Sequence, residues 1–373
     1  MTNAGLGFGV LGPLLMTSHG VRVPVGAPKQ RAVLAMLLVN RNRPVSVDAL
    51  INAVWGDEPV PAARTSIQAH VSNLRRLLRD AGVDAYQVLA SAPPGYQLSV
   101  ADADCDLGRF SAERTAGTQA VAAGRFEDAS GHFSLALGEW RGPVLDDLRD
   151  FAFVDAFATA LTEEKVATHT ARAEAEIACG RAGAVIGELE ALVAEHPYRE
   201  PLWAQLITAY YVTERQSDAL GAYRRLKSAL AEGLGIDPGP TVSALHERIL
   251  RQEPLGATRA ALTTHKRGVY QEPAAAEAAV ARLRDRSGRL HPLAGAITRI
   301  GRFTDNDIVL DDTDVSRHHA VITDTGTGFM MTDLRSTNGV EVAGRRVRGS
   351  ASLADGDRIC IGGHEFVFEV RPR

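Results

Sequence analysis

The sequence predicts a multidomain chain of three dissimilar parts. A mixed strand-and-helix domain covers residues 1–102, an all-helical repeat domain 103–254 and an all-β sandwich 278–373, with a linker at 255–277. Three observations carry this. The hydrophobic period becomes helical near Cys105 and strand-like near Ala278. A helix–turn–helix pattern recurs within the middle part. Short apolar runs separated by Gly, Asp and Asn turns fill the last part, whereas 255–277 loses periodicity and reads most simply as a linker, with a short helix at its Ala-rich end as the alternative.

The composition fits this plan. The chain has 373 residues, 45% hydrophobic and 23% charged, which excludes wholesale disorder and fibrous classes and allows several cores. Cys105, Cys179 and Cys360 are far apart and form no CxxC or Cys/His cluster, so they read as buried free thiols, with no disulfide framework and no zinc site. The N-terminus has no basic, apolar leader pattern, and no apolar run approaches about 18 residues, so a cytoplasmic protein without membrane contact is expected. The net charge of −4 hides an asymmetry: residues 1–100 carry nine basic and five acidic side chains, so this segment is +4 and the remainder −8.

In the first part, L-G-F-G-V-L-G-P-L-L-M and V-R-V-P-V read as strands around a turn at Ser18, His19 and Gly20. Pro28 suits the first position of a helix over Lys29 to Asn40. Ser46 is an N-cap for V-D-A-L-I-N-A-V-W, with Asp48 in its first turn. After the breakers at Gly56 to Pro61 comes a third helix, Ala62 to Asp80. Q-V-L-A-S and Y-Q-L-S-V then flank Pro93, Pro94 and Gly95, read as a hairpin whose type II turn has Pro94 and Gly95 at its centre. Strands, three helices and a hairpin, in that order, make a winged helix-turn-helix with an N-terminal sheet.

The third helix divides cleanly. Ile67, Val71, Leu74, Leu77 and Leu78 form one apolar stripe. Thr65, Ala69, Ser72, Asn73, Arg76 and Arg79 lie opposite, flanked by Gln68 and Arg75, with Arg64 in the first turn. Small polar groups toward the N-terminus and guanidinium groups toward the C-terminus suit a major groove, the first against base edges and the second on phosphates. These nine residues are the candidate DNA contacts. A merely solvated amphipathic helix is the alternative, and the element order argues against it.

The middle part reads as helical hairpins. A-C-G-R-A-G-A-V near 180 and V-T-E-R-Q-S-D-A near 214 repeat at the tetratricopeptide period, and A-A-G-R at 122–125 is a third such turn. An unrelated helical bundle is the competing reading.

The first 250 residues resemble the streptomycete antibiotic regulatory proteins, which join an OmpR-type winged helix to a bacterial transcriptional activation domain. The stretches carrying the resemblance are P-K-Q-R-A-V-L-A-M-L, V-D-A-L-I-N-A-V-W-G, S-I-Q-A-H-V-S-N-L-R-R-L-L, P-P-G-Y-Q-L, H-P-Y-R-E-P-L-W-A-Q-L-I-T-A-Y-Y, R-Q-S-D-A-L-G-A-Y-R-R-L and L-G-I-D-P-G-P. The resemblance implies that the third helix reads DNA, the hairpin wing touches its backbone, and the helical domain supports activation.

In the tail, R-L-H-P-L, A-I-T-R-I, D-I-V-L, A-V-I-T, G-F-M-M-T, R-I-C-I and E-F-V-F-E-V are β-like. Between them lie Gly301-Arg302, S-R-H-H-A at 316–320, D-L-R-S-T-N-G at 333–339 and L-A-D-G-D at 353–357. A phosphothreonine brings about two charges and three acceptor oxygens. Arg302, Ser316, Arg317, Thr337 and Asn338 are the guanidinium, hydroxyl and amide groups that such a dianion needs. This spacing resembles the forkhead-associated domain, a sandwich that recognises phosphothreonine peptides. The resemblance implies ligand contacts for Arg302, Ser316 and Asn338, assistance from Arg317, Ser336 and Thr337, and loop-shaping roles for Gly301, His319 and Gly339. A metal site at His318 and His319 is not expected, because no partner cysteine or carboxylate pattern accompanies them.

All three domains in one chain resemble the architecture of a mycobacterial regulator type controlled by a serine/threonine kinase. That likeness implies promoter DNA, RNA polymerase and an autophosphorylated Ser/Thr protein kinase as partners. No P-loop, Ser/His/Asp or H-E-x-x-H pattern occurs, so no catalytic residue and no cofactor are expected. The alternative function is a phosphopeptide-binding scaffold without a specific DNA target.

Overall fold

The computed structural model describes residues 5–56, 58–255, 280–293, 297–303, 306–324, 329–334, 336–347 and 350–371. The chain forms two compact units. The first comprises 1–112, 138–164 and 274–373, and the second 113–137 and 165–273.

In the first unit, β1 (Leu6–Gly9), β2 (Leu15–Ser18) and β3 (Val21–Arg22) form an antiparallel sheet. α1 (Pro28–Val39) starts on its proline and buries eight of its twelve residues, Gln30 and the run Ala32–Leu38. β4 (Pro44–Ser46) leads into α2 (Val47–Trp55), where Ser46 caps the first turn by accepting from the Ala49 amide at 3.0 Å. α3 (Ala63–Asp80) buries Ile67, Val71, Leu74 and Leu78, while Leu77 stays half-exposed. A short α4 (Ala85–Val88), absent from the sequence reading, precedes the hairpin β5 (Leu89–Ala92) and β6 (Gly95–Leu98), which β4 extends to three strands. Because Ala92 pairs with Gly95, the loop is Pro93-Pro94 with a cis bond between them. This corrects the expected type II turn: Gly95 lies in the strand and pairs with Ala92, so Pro93 and Pro94, not Pro94 and Gly95, form the loop.

α5 (Asp106–Ala122) and α7 (Ala152–Ala178) begin in the first unit and end in the second. With α6 (Phe126–Gly138), α8 (Ile186–Glu195), α9 (Glu200–Val212), α10 (Gln216–Leu234) and α11 (Pro240–Leu250) they complete the helical part. The three expected tight turns share one geometry. Gly124, Gly180 and Glu214 each take positive φ. The next amide reaches back to close each helix: Arg125 to Ala120 at 2.8 Å, Arg181 to Glu176 at 2.9 Å, and Arg215 to Tyr210 at 2.9 Å. Trp203, Leu206, Ile207, Leu226 and Leu230 lie in the core of the second unit, together with Leu255 at the start of the expected linker. The rest of that linker lies outside the described residues.

The tail is a two-sheet sandwich. One sheet has β9 (Ile297–Gly301), β10 (Ile308–Val309), β11 (Ala320–Asp324), β12 (Phe329–Asp333) and β15 (Ser350–Leu353). The other has β7 (Val280–Asp285), β8 (Leu290–Pro292), β13 (Val340–Val342), β14 (Arg345–Arg346), β16 (Arg358–Ile361) and β17 (His364–Arg371). β7 is not among the strands expected from sequence. Its alternation becomes legible only beside β17: Ala281 and Leu283 enter the core, while Arg282 and Arg284 share Glu369 at 2.8 and 2.7 Å.

Cys105 is buried, but Cys179 and Cys360 are half-exposed, contrary to expectation; all three are free. Among the described residues, no helix is long and apolar enough to cross a membrane, and no cluster of His, Cys, Asp and Glu is arranged to hold a metal ion.

Candidate functional sites

The α3 face emerges largely as its sequence implies. With Ile67, Val71, Leu74 and Leu78 buried, the helix leaves Arg64, Thr65, Gln68, Ala69, Ser72, Arg76 and Arg79 exposed and Asn73 half-buried. The basic residues are not equivalent. Arg64 pairs with the exposed Asp48 at 2.7 Å. Arg75 turns away from the exposed face. Its Nε donates to the Leu89 carbonyl at 3.0 Å and its Nη2 to Ser91 Oγ at 3.0 Å, and it stands over the rings of Tyr86 and Tyr96. It thus fastens the hairpin to α3, a role that side-chain charge alone does not reveal. Arg76 and Arg79 have no ion pair or side-chain hydrogen bond among the described residues. Lys29 stands over the Trp55 ring at 4.8 Å, and Arg31 pairs with Asp147 at 2.8 Å. Within α3, the positive charge left without an ionic partner among the described residues is therefore that of Arg76 and Arg79.

At the sandwich edge the loops are built around His319, which is fully buried. Its Nδ1 accepts the Ser316 amide at 2.9 Å and its Nε2–H donates to the Gly339 carbonyl at 3.0 Å, so one ring fixes the 316–319 and 336–339 loops together. Ser316 Oγ accepts the Thr337 amide at 3.1 Å, Ser336 Oγ accepts the Gly339 amide at 3.0 Å, and Asn338 Nδ2 donates to the Asp314 carbonyl at 2.8 Å. The Arg302 amide donates to the Ser316 carbonyl at 3.0 Å. Arg302, Ser316, Ser336, Thr337 and Asn338 therefore sit on mutually bonded loops, as the sequence spacing implies.

The glycines are needed sterically. At Gly301 a Cβ would collide with the Arg317 carbonyl, and at Gly339, with φ of +79°, it would lie 2.7 Å from Arg346 Nε. The Arg317 guanidinium lies 5.2 Å over the Phe303 ring. Arg302 Nε is buried with no hydrogen-bond partner among the described residues. A buried guanidinium nitrogen of this kind is costly unless a ligand uses it, and an anion is the group that does so best. Sequence reasoning missed Asn306, whose Nδ2 donates to the carbonyls of Phe303 and Arg317, both at 2.8 Å, and so braces the arginine-bearing loops. Its only signal is a short Asp/Asn turn.

Three family models match in order: "Transcriptional regulatory protein, C terminal" at 24–98, "Bacterial transcriptional activator domain" at 105–250 and "FHA domain" at 298–362. The transcriptional regulatory protein EmbR of Mycobacterium tuberculosis is 65% identical over 370 residues, 98% of this chain and 95% of that protein. MoaR1 of the same organism is 54% identical over 256 residues, 68% of this chain and 82% of its own. DnrI of Streptomyces peucetius is 32% identical over 250 residues, 66% of this chain and 92% of its own. The solved structure of Mycobacterium tuberculosis EmbR in complex with a low-affinity phosphopeptide superposes with a TM-score of 0.86 at 63% identity, covering 99% of this chain and 98% of that one. With its winged helix, activator domain and forkhead-associated sandwich all matched, the chain belongs to the EmbR-like family of transcriptional regulators.

Proposed function

We propose that this regulator reads promoter DNA with α3 and is an activator controlled through its sandwich, which receives a phosphothreonine segment of an autophosphorylated Ser/Thr protein kinase. The observation that carries the second half is Arg302. Its buried, unpartnered Nε stands on a loop bonded to Ser316, which lies on the His319-fixed 316–319 loop. A phosphate there would receive the guanidinium and the hydroxyl of Ser316, with Asn338 holding the peptide backbone. For the first half, the exposed face of α3 joins small polar residues to Arg76 and Arg79, which have no ionic partner among the described residues, as groove reading with phosphate contacts requires. In this reading the helical domain contacts RNA polymerase, as the activator-domain match suggests. The protein acts in the cytoplasm without catalysis of its own.

Calorimetry with matched phosphorylated and unphosphorylated threonine peptides tests the input. Binding of the phosphorylated form alone is expected, and equal affinity for both overturns it. Gel shifts on genomic fragments at several salt concentrations test the output. Binding that ignores sequence at every concentration leaves the chain a phosphopeptide scaffold.

A further inference from the structure

The turn that braces the phosphate-facing loops also faces the winged helix. Asn306 holds the carbonyls of Phe303 and Arg317, and its Oδ1 lies 3.3 Å from His318 Nδ1. The next residue, Asp307, bonds elsewhere. One carboxylate oxygen accepts the Arg299 amide at 2.9 Å, and the other pairs with Arg43, just after α1. Arg299 itself reaches the end of α1, donating from Nη1 to Asn40 Oδ1 at 2.6 Å and from Nη2 to the Val39 carbonyl at 3.2 Å. Val39 is the last residue of α1 and Asn40 its C-cap, so the guanidinium meets the negative end of the helix. α1 in turn packs on α3.

This contact is polar and incompletely filled. A cavity of about 250 Å³ lies beside it, lined by Asn40, Arg41, Arg43, Asp102, Glu164 and Arg299. A narrower cleft among Met36, Phe153, Phe157, His318 and Leu334 adjoins it. Space lined by charged groups admits water, which lowers the cost of breaking and remaking the pairs.

We infer that Asn306–Asp307 is a relay coupling occupancy of the sandwich loops to DNA reading by the winged helix. The inference rests on the phosphothreonine reading above. A dianion drawn to Arg302 and Ser316 repositions the Arg317 carbonyl and, through Asn306, the adjoining carboxylate that holds Arg43. Arg43 and the capped end of α1 then settle differently, and α3 follows α1. Coupling of this kind is reciprocal, so DNA and phosphopeptide change each other's affinity by one common factor.

The test uses the full chain, a labelled duplex that the chain selects from genomic fragments, and a short phosphothreonine peptide with its unphosphorylated twin. Saturating phosphopeptide is expected to change the duplex Kd by about 5-fold or more, within the usual range of such couplings. Arg43→Gln and Asp307→Asn remove the ion pair, and the latter keeps an oxygen for the Arg299 amide. Both variants are expected to bring that factor close to 1 while calorimetry finds phosphopeptide affinity unchanged. A wild-type chain that binds both ligands with no mutual effect overturns the relay, as do variants that retain the wild-type factor. If the wild-type chain fails to bind phosphopeptide in calorimetry, the phosphothreonine reading itself falls, a result distinct from lost coupling.

Discussion

The guanidinium of Arg75 stands 4.5 Å over the ring of Tyr86 while its Nε holds the Leu89 carbonyl at 3.0 Å. A residue that its charge and position place among the candidate DNA contacts is thereby committed to joining α3 to the hairpin. Arg76, its neighbour, is exposed and has no ion pair or side-chain hydrogen bond among the described residues. Arg76→Ala should therefore weaken binding to all duplexes alike and lower the salt slope by about 1. Arg75→Ala should leave that slope nearly unchanged, lowering Tm through the loss of two hydrogen bonds and ring stacking worth together about 1–3 kcal/mol. Filter binding across a salt series, with thermal unfolding of both variants, separates the two roles.

Arg302→Ala should reduce phosphothreonine-peptide affinity roughly 10- to 150-fold for each charge-assisted bond lost. Because the Arg302 side chain makes no hydrogen bond among the described residues, the variant should melt within about 0.5 kcal/mol of the wild type. Calorimetry and thermal unfolding on the same preparation check both halves, and a large loss of stability would argue for a structural role instead.

Asp106 is buried, and its carboxylate accepts the amides of Val10 at 2.9 Å, Leu11 at 3.0 Å and Leu107 at 2.7 Å, besides Arg141 Nη2 at 3.0 Å. It ties the residues that follow β1 to the start of α5. Asp106→Ala strands three amides and a guanidinium, so a loss of about 3–5 kcal/mol is expected, read as a lower midpoint in urea.

Burial pushes the Glu174 carboxyl up to about 8. The folded chain then keeps a proton that the unfolded chain releases near the ordinary value of 4.5, so stability falls as pH rises between these values. His169, pulled down by burial to about 4, works in the opposite sense: stability falls as pH drops below its ordinary 6.5. Glu174→Gln should therefore raise Tm relative to wild type progressively from pH 5 to pH 8, leaving the His169-dependent fall at acid pH. A difference in Tm independent of pH would show that the carboxyl titrates normally.

Much of the architecture is local and therefore legible in the sequence. The α3 stripe, the Ser46 cap and the turns at Gly124, Gly180 and Glu214 depend on spacing and on backbone preferences carried by neighbouring residues. The loop residues around His319 are legible for a related reason: Gly301 and Gly339 stand where a Cβ would meet a neighbouring segment, and His319 bonds the Ser316 amide and the Gly339 carbonyl, so each role falls on one residue type at a fixed place in the order. The sequence could not show which residues these groups would face. Arg75 faces the hairpin and not the open side of α3 because Leu89, Ser91 and Tyr86 arrive from later segments. β7 is a strand because β17 brings Glu369 to Arg282 and Arg284. Asp307 meets Arg43 across 264 residues of chain. Such pairings are set by the packing of distant surfaces, and a charged side chain carries no local mark of its partner, so only the tertiary structure decided them.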